Sequence, residues 1–205
     1  MSDRTIVIFD NEYTTWQGAK ESNWGAGNGW CRELVQIAAI KLKPGQPWQE
    51  AQTLEVMVKP IINPILSDTF IQLTGLTQER VDREGVTLDA AFGWLSLFAL
   101  GDPTLQFYSN GNDRSQLAET AGFHKVPFPM DWQRFHNFRE PLYAQLEACL
   151  GHKINRKDYP SGRVYELLGL TLPSAQVHNA LHDVYSLAAT LQELENRGFP
   201  VPLPE

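Results

Sequence analysis

The run Thr5-Ile6-Val7-Ile8-Phe9-Asp10 constrains this chain most. It is β-branched, apolar and short, the mark of a strand buried on both faces. Such a strand needs neighbours on either side and covering layers above and below, and here it ends in acid. Alternate side chains of a strand share a face, so Asp10 and Glu12 project together while Asn11 points the other way. Two carboxylates held that close repel each other unless a cation joins them. An oxygen-rich site of this kind suits Mg²⁺ or Mn²⁺ better than zinc. Turn initiation by Asp10 and Asn11 explains the same residues more plainly, and Asp-x-Glu alone does not decide between the two.

The rest of the chain supplies the neighbours. Residues 14–30 form a long loop broken by Gly18, Gly25, Gly27 and Gly29. Leu34–Leu42 reads as a second strand, Lys43-Pro44-Gly45-Gln46-Pro47 as a turn, and Leu54–Val58 as a third strand completing an antiparallel meander that ends at Pro60–Pro64. Helical patterns follow at 67–74 and at 87–100, the latter capped by Thr87. Thr104–Ser109 reads as a fourth strand, Asp113–Ala121 as a helix and Trp132–Phe138 as a short fifth strand. Helices are expected at 139–150, 161–168 and 178–196. Three strands followed by alternating helix and strand predict an α/β fold with a mixed sheet. The 205 residues suit a single domain with a core at about 5–196 and a short Pro-rich tail from Pro200 to Pro204.

Two further acidic positions fall at helix starts. In the last helix Ala180, Val184, Leu187, Ala188, Leu191 and Leu194 form an apolar stripe, and Asp183 borders it. No lysine or arginine lies within a turn of Asp183. A carboxylate so placed needs a partner. His178 stands five residues earlier, at or just before the helix start. A favourable charge in the first turn and a cap-region histidine account for both equally well. Asp113 follows the fourth strand through Ser109-Asn110-Gly111-Asn112 and fits an N-cap as readily as a ligand. In an α/β sheet, ligands gather outside strand ends, where these acids could converge.

Composition narrows the partners. With a net charge of −7, a protein that coats duplex nucleic acid is disfavoured. An enzyme that grips a few nucleotides through bound metal is not. Two cysteines, Cys31 and Cys149, give no disulfide framework or structural zinc site and fit a reduced, cytoplasmic setting. No start resembling a signal peptide and no stretch able to cross a bilayer is present, so no membrane partner is expected.

Taken in order, these residues resemble the DEDDh pattern of the DnaQ-like exonuclease superfamily. Phe9-Asp10-Asn11-Glu12 matches its first motif, Asp113-Arg114-Ser115-Gln116-Leu117 its second, and His178-Asn179-Ala180-Leu181-His182-Asp183 its third. Within the superfamily the Eri and KapD type is most similar, through Arg32-Glu33-Leu34-Val35-Gln36-Ile37-Ala38, Leu73-Thr74-Gly75-Leu76-Thr77-Gln78, and Lys59-Pro60 followed by Asn63-Pro64. The resemblance departs in three places. The stretch before Asp113 is one residue short and lacks the usual tryptophan. His182 replaces a frequent acidic residue and offers a second imidazole beside Asp183. The 14–30 loop is long.

The resemblance implies a ribonuclease-H-like fold, with a five-stranded mixed sheet flanked by helices. It implies a 3′–5′ exonuclease that releases nucleoside 5′-monophosphates from RNA or DNA with a free, single-stranded 3′ end. Two Mg²⁺ or Mn²⁺ ions, about 4 Å apart, would clamp the attacking and leaving oxygens. By position Asp10 bridges both ions, Glu12 and Asp183 hold the ion on the nucleophile side, and Asp113 reaches the other. His178 takes the proton of the attacking water. Leu73, Thr74, Gly75 and Leu76 lie against the terminal nucleotide, with Thr74 at the 3′ sugar and base. His124, His136 and His152 fall outside the pattern. Trp16, Trp24 and Trp30, beside Lys20, stack on bases or anchor their own loop. A catalytically weak binding module on the same fold is the alternative function, and an endonuclease of the wider fold, which would not need His178, is another.

Overall fold

A computed structural model describes residues 5–24, 29–43, 48–99, 102–173, 178–201 and 203. The expected turn over Pro44–Pro47, Gly25 and Gly27 of the glycine-rich loop, and Pro202 and Pro204 of the tail lie outside the described residues.

The sheet has five strands in the order β3-β2-β1-β4-β5. Strand β1 (Ile6–Tyr13) is flanked by β2 (Leu34–Lys43), antiparallel, and by β4 (Gln106–Ser109), parallel. β3 (Gln49–Met57) pairs antiparallel with β2, and β5 (Phe135–Asn137) parallel with β4. β3 begins well before Leu54 because its first half, Gln49–Thr53, is an exposed polar edge without apolar alternation. β1 likewise continues past Asp10 to Tyr13. Its pairing with β4 stops at Ile8–Tyr108, so Asp10 and Glu12 emerge beyond the end of that neighbour.

Alternation along β1 sorts the two covering layers. Val7 and Phe9 join a core with α3 (Leu88–Phe98) and α4 (Asp113–His124). Ile6 and Ile8 face α5 (Arg139–Leu150) and α6 (Ala180–Asn196). A third cluster, around Phe70 and Leu76, seats α1 (Asp68–Thr74) and α2 (Gln78–Glu84) on Val35 and Met57. Thr87 caps α3 as expected, its side chain accepting from the Ala90 N–H. Helix α2 has no counterpart in the sequence expectations, because it buries only Val81 and shows no apolar period. Residues 161–168, expected as a helix, form a 3₁₀ run.

Candidate active site

Asp10 and Glu12 lie on the face of β1 that continues Ile6 and Ile8, toward α6. Helix α6 brings Asp183 to meet them: one carboxylate oxygen from each of the three lies within 4.8 Å of the others. All three are buried, with Asp183 3% exposed. Asp113 is the first residue of α4 rather than its N-cap, which is Asn112. It stands outside the tight trio, but among the neighbouring acids its charge acts most strongly on Asp10.

Burial without compensation dominates the electrostatics. Desolvation raises Asp10 and Glu12 well above the usual carboxylate range, and the neighbouring acids push both further. Asp113 is raised to about 6 by burial, against hydrogen bonds from Ser109, its own backbone and Asn11. Asp183 is raised to about 7, by burial first, although the backbone N–H groups of His178 and Gly162 reach its carboxylate. Its Oδ1 is buried with no hydrogen-bond partner. Ion pairs among the described residues lie elsewhere. Four acids crowded in low dielectric, with an orphaned oxygen and no cationic side chain paired with them among the described residues, fit a hard divalent cation.

Local sequence explains the entry to α6. Asn179 caps the helix, its side chain accepting from the Leu181 N–H at 3.2 Å. His178, just before the cap, has φ 65°, a left-handed conformation uncommon outside glycine. Backbone held there by its surroundings marks a site where position matters. The ring is half-buried, and burial lowers its pKa from the ordinary 6.5.

Two residues that hold the site had no role assigned from the sequence, although Gln36 lies within the Arg32–Ala38 stretch. Gln36, fully buried and opposite Glu12 in the β1–β2 register, accepts the Ala180 N–H at 2.9 Å and donates to Glu55 at 2.8 Å. It ties the first turn of α6 to the sheet. Gly162 packs so tightly on Asp183 that a Cβ there would overlap Oδ1. Its signal in the sequence is a glycine inside an expected helix. The other imagined imidazole, His182, is engaged: its Nε2–H donates to the Gly162 carbonyl at 2.9 Å, and its ring meets Tyr165 edge to face. It braces Gly162.

The expected nucleotide-contact segment divides. Leu73 is exposed and Gly75, at φ 73°, ends α1. Thr74 and Leu76 are buried, and the Thr74 hydroxyl donates to the Phe70 carbonyl and accepts from the Leu76 N–H. Thr74 therefore closes its own helix through its hydroxyl. The Asn11 carboxamide lies against Asp113 and Tyr13 without good hydrogen-bond geometry to either.

No protein-family model matches the chain. Among curated proteins it is 32% identical to ERI1 exoribonuclease 2 of Xenopus laevis over 83 residues, 40% of this chain and 11% of that protein. The solved nuclease domain of 3′hExo, described as a DEDDh family member bound to rAMP, superposes with a TM-score of 0.71 at 23% identity, over 98% of this chain and 96% of that one. A 3′-exonuclease solved for its recognition of the histone mRNA stem-loop gives 0.72 at 22% identity, over 94% of this chain but 64% of its own. The resemblance read from the three motifs thus extends to the whole fold.

Proposed function

We propose that this chain is a metal-dependent 3′–5′ exonuclease acting on RNA or DNA. One observation carries it: the buried, unneutralised convergence of Asp10, Glu12 and Asp183, with Asp113 beside them. A buried acidic cluster without a cation has no stabilising role, since each carboxylate raises the free energy of the others. The same cluster is well suited to hold divalent ions against a phosphodiester. Asp10, Glu12 and Asp183 would hold one ion, and Asp10 with Asp113 a second. Bound there, Mg²⁺ or Mn²⁺ would neutralise the phosphate and acidify water.

The chain's own groups do the rest. His178 sits on the turn into α6, its backbone N–H on Asp183, and keeps a neutral imidazole that can accept the proton of an attacking water. Its depressed pKa keeps that acceptor available at neutral pH. Gly162 and Gln36 fix Asp183 and the helix start, so ligand positions are set before substrate arrives. Nucleoside 5′-monophosphates are the expected products.

A 5′-labelled single strand incubated with Mg²⁺ should shorten as a ladder, and the same strand with a blocked 3′ end should resist. Efficient cutting of a closed circle would replace the exonuclease with an endonuclease. Tight binding without any hydrolysis would leave only a binding module.

A further inference from the structure

The glycine-rich loop and the segment before α1 enclose a groove that the chemistry described so far does not use. Trp16 and Trp30 meet edge to face, with ring centroids 5.0 Å apart. With Ile62, Pro64 and Ile65 they wall an open groove of about 200 Å³. Trp30 is 45% exposed and Ile65 78%, so a contiguous apolar surface faces water. Hydrogen bonds hold the 61–67 wall of the groove. The Glu33 carboxylate gathers the N–H groups of Ile61 and Ile62 at 2.8–3.0 Å and that of Asn63, and the Ser67 hydroxyl donates to the Thr15 carbonyl.

Chemistry and position select the occupant. No residue lining the groove carries a charge, so a phosphate, carboxylate or ammonium group finds no counterion there. A flat, uncharged heteroaromatic finds an indole face and aliphatic walls. Thr14, in the groove, follows Glu12 by two residues, about 7 Å along extended chain. A strand with its phosphate at the acidic cluster carries its nearest bases within that reach. Trp24 has a different role. Its ring lies 5.2 Å from the Arg32 guanidinium, a contact that anchors the loop to the segment entering β2.

We propose that this groove binds one unpaired nucleobase of the substrate, from a nucleotide flanking the scissile phosphate. The base stacks on Trp30, which Trp16 buttresses edge-on. The identity of this ligand rests on the exonuclease proposal. Because every base has a π-face, the site tolerates sequence. Because a paired base is already stacked within its duplex, the site favours a single-stranded end.

The test is a set of labelled single-stranded octanucleotides, intact or abasic at each of the last three positions. Binding is measured by anisotropy with Ca²⁺ replacing Mg²⁺ to slow hydrolysis. One abasic position should weaken wild-type binding about tenfold, the scale of a lost base–aromatic stack. Trp30→Ala should weaken the intact strand by a similar factor and erase the effect of that abasic position, while Trp30→Phe keeps most of the affinity. Effects that multiply at every position, or no effect at all, would overturn the proposal, as would failure of any strand to bind. Should Trp30→Ala not fold, Ile65→Glu carries the test. That residue is exposed enough to vary without loss of fold, and a carboxylate at the groove mouth should repel the strand about tenfold while abolishing the same abasic sensitivity. Hydrolysis is scored separately in Mg²⁺. Overlapping effects without strand shortening would sink the exonuclease proposal and keep the groove. Shortening from the 3′ end with independent effects would do the reverse.

Discussion

Glu33 and Asp183 are both buried carboxylates, on opposite sides of the same design problem. Glu33, on the segment entering β2, is fully buried, and its oxygens accept from the backbone N–H groups of Ile61, Ile62 and Asn63 and from His124 Nε2 at 2.8 Å. Asp183, 3% exposed, receives two backbone N–H groups, keeps one oxygen orphaned, and faces Asp10, Glu12 and Asp113 across the cluster. Donors that surround a buried acid stabilise its charge, and other acids around it do not, an imbalance that suits a bound cation. The first arrangement ties the 61–63 loop and the end of α4 to the sheet. The second holds four like charges together at the expense of stability.

The sharpest break between the two comes from deleting one carboxylate in each. Asp10→Ala should reduce hydrolysis by roughly a thousandfold or more, since losing several kcal/mol of charge stabilisation has that scale. Its metal-free melting temperature should not fall. Glu33→Ala should do the opposite: it leaves buried N–H groups unpaired and lowers stability by about 3 kcal/mol, while the folded fraction still turns over far faster than Asp10→Ala. Denaturant unfolding and steady-state hydrolysis on both variants decide it. Equal loss of activity, or a destabilised Asp10→Ala, would erase the contrast.

His178→Ala comes next. Turnover should fall by roughly 10²-fold, the lower end for a positioned base, because bound metal still acidifies the water. Divalent-ion affinity, read by calorimetry, should stay near wild type. The His182 ring is held on Gly162, so it does not substitute without moving Asp183. A variant that hydrolyses at the wild-type rate would remove His178 from the chemistry.

The smallest effects concern pH. Asp113 at about 6 and Asp183 at about 7 stand above the ordinary unfolded value near 4. The folded protein then binds more protons than the unfolded chain between those values, and this contribution to metal-free stability is present below about pH 4 and lost as pH rises through 7. Divalent ions need the ionised acids, so the gain in melting temperature from Mg²⁺ should be clear at pH 8 and nearly absent at pH 5. Asp183→Asn should raise the metal-free melting temperature at pH 8 by a few degrees and abolish the gain. Metal-free stability that rises between pH 5 and 8 would contradict the shared burial of these charges.

The groove sharpens the same comparison from a third side. The loop that Glu33 secures also walls the Trp16–Trp30 groove, so a fully satisfied acid supports a surface that invites a ligand. Among the described residues no helix is long and apolar enough to cross a membrane.

Within one element the sequence was sufficient. Asp10 and Glu12 share a face because strand geometry repeats every two residues, and Asp183 borders the apolar stripe of α6 because helix geometry repeats every 3.6. The faces on which these acids stand were therefore legible before any fold was known, as was the mixed sheet, whereas reading them with Asp113 and His178 as one set rested on the resemblance. What joins elements was not visible. Gln36 caps α6 from 144 residues away, His182 braces Gly162 across 20, and His124 meets Glu33 across 91. The Thr74 hydroxyl closes on its own helix, a pairing with the Phe70 carbonyl that the motif does not spell out. Local periodicity fixes which side chains share a face. Which donor fills which buried acceptor is set by long-range packing, and no spacing within an element encodes it.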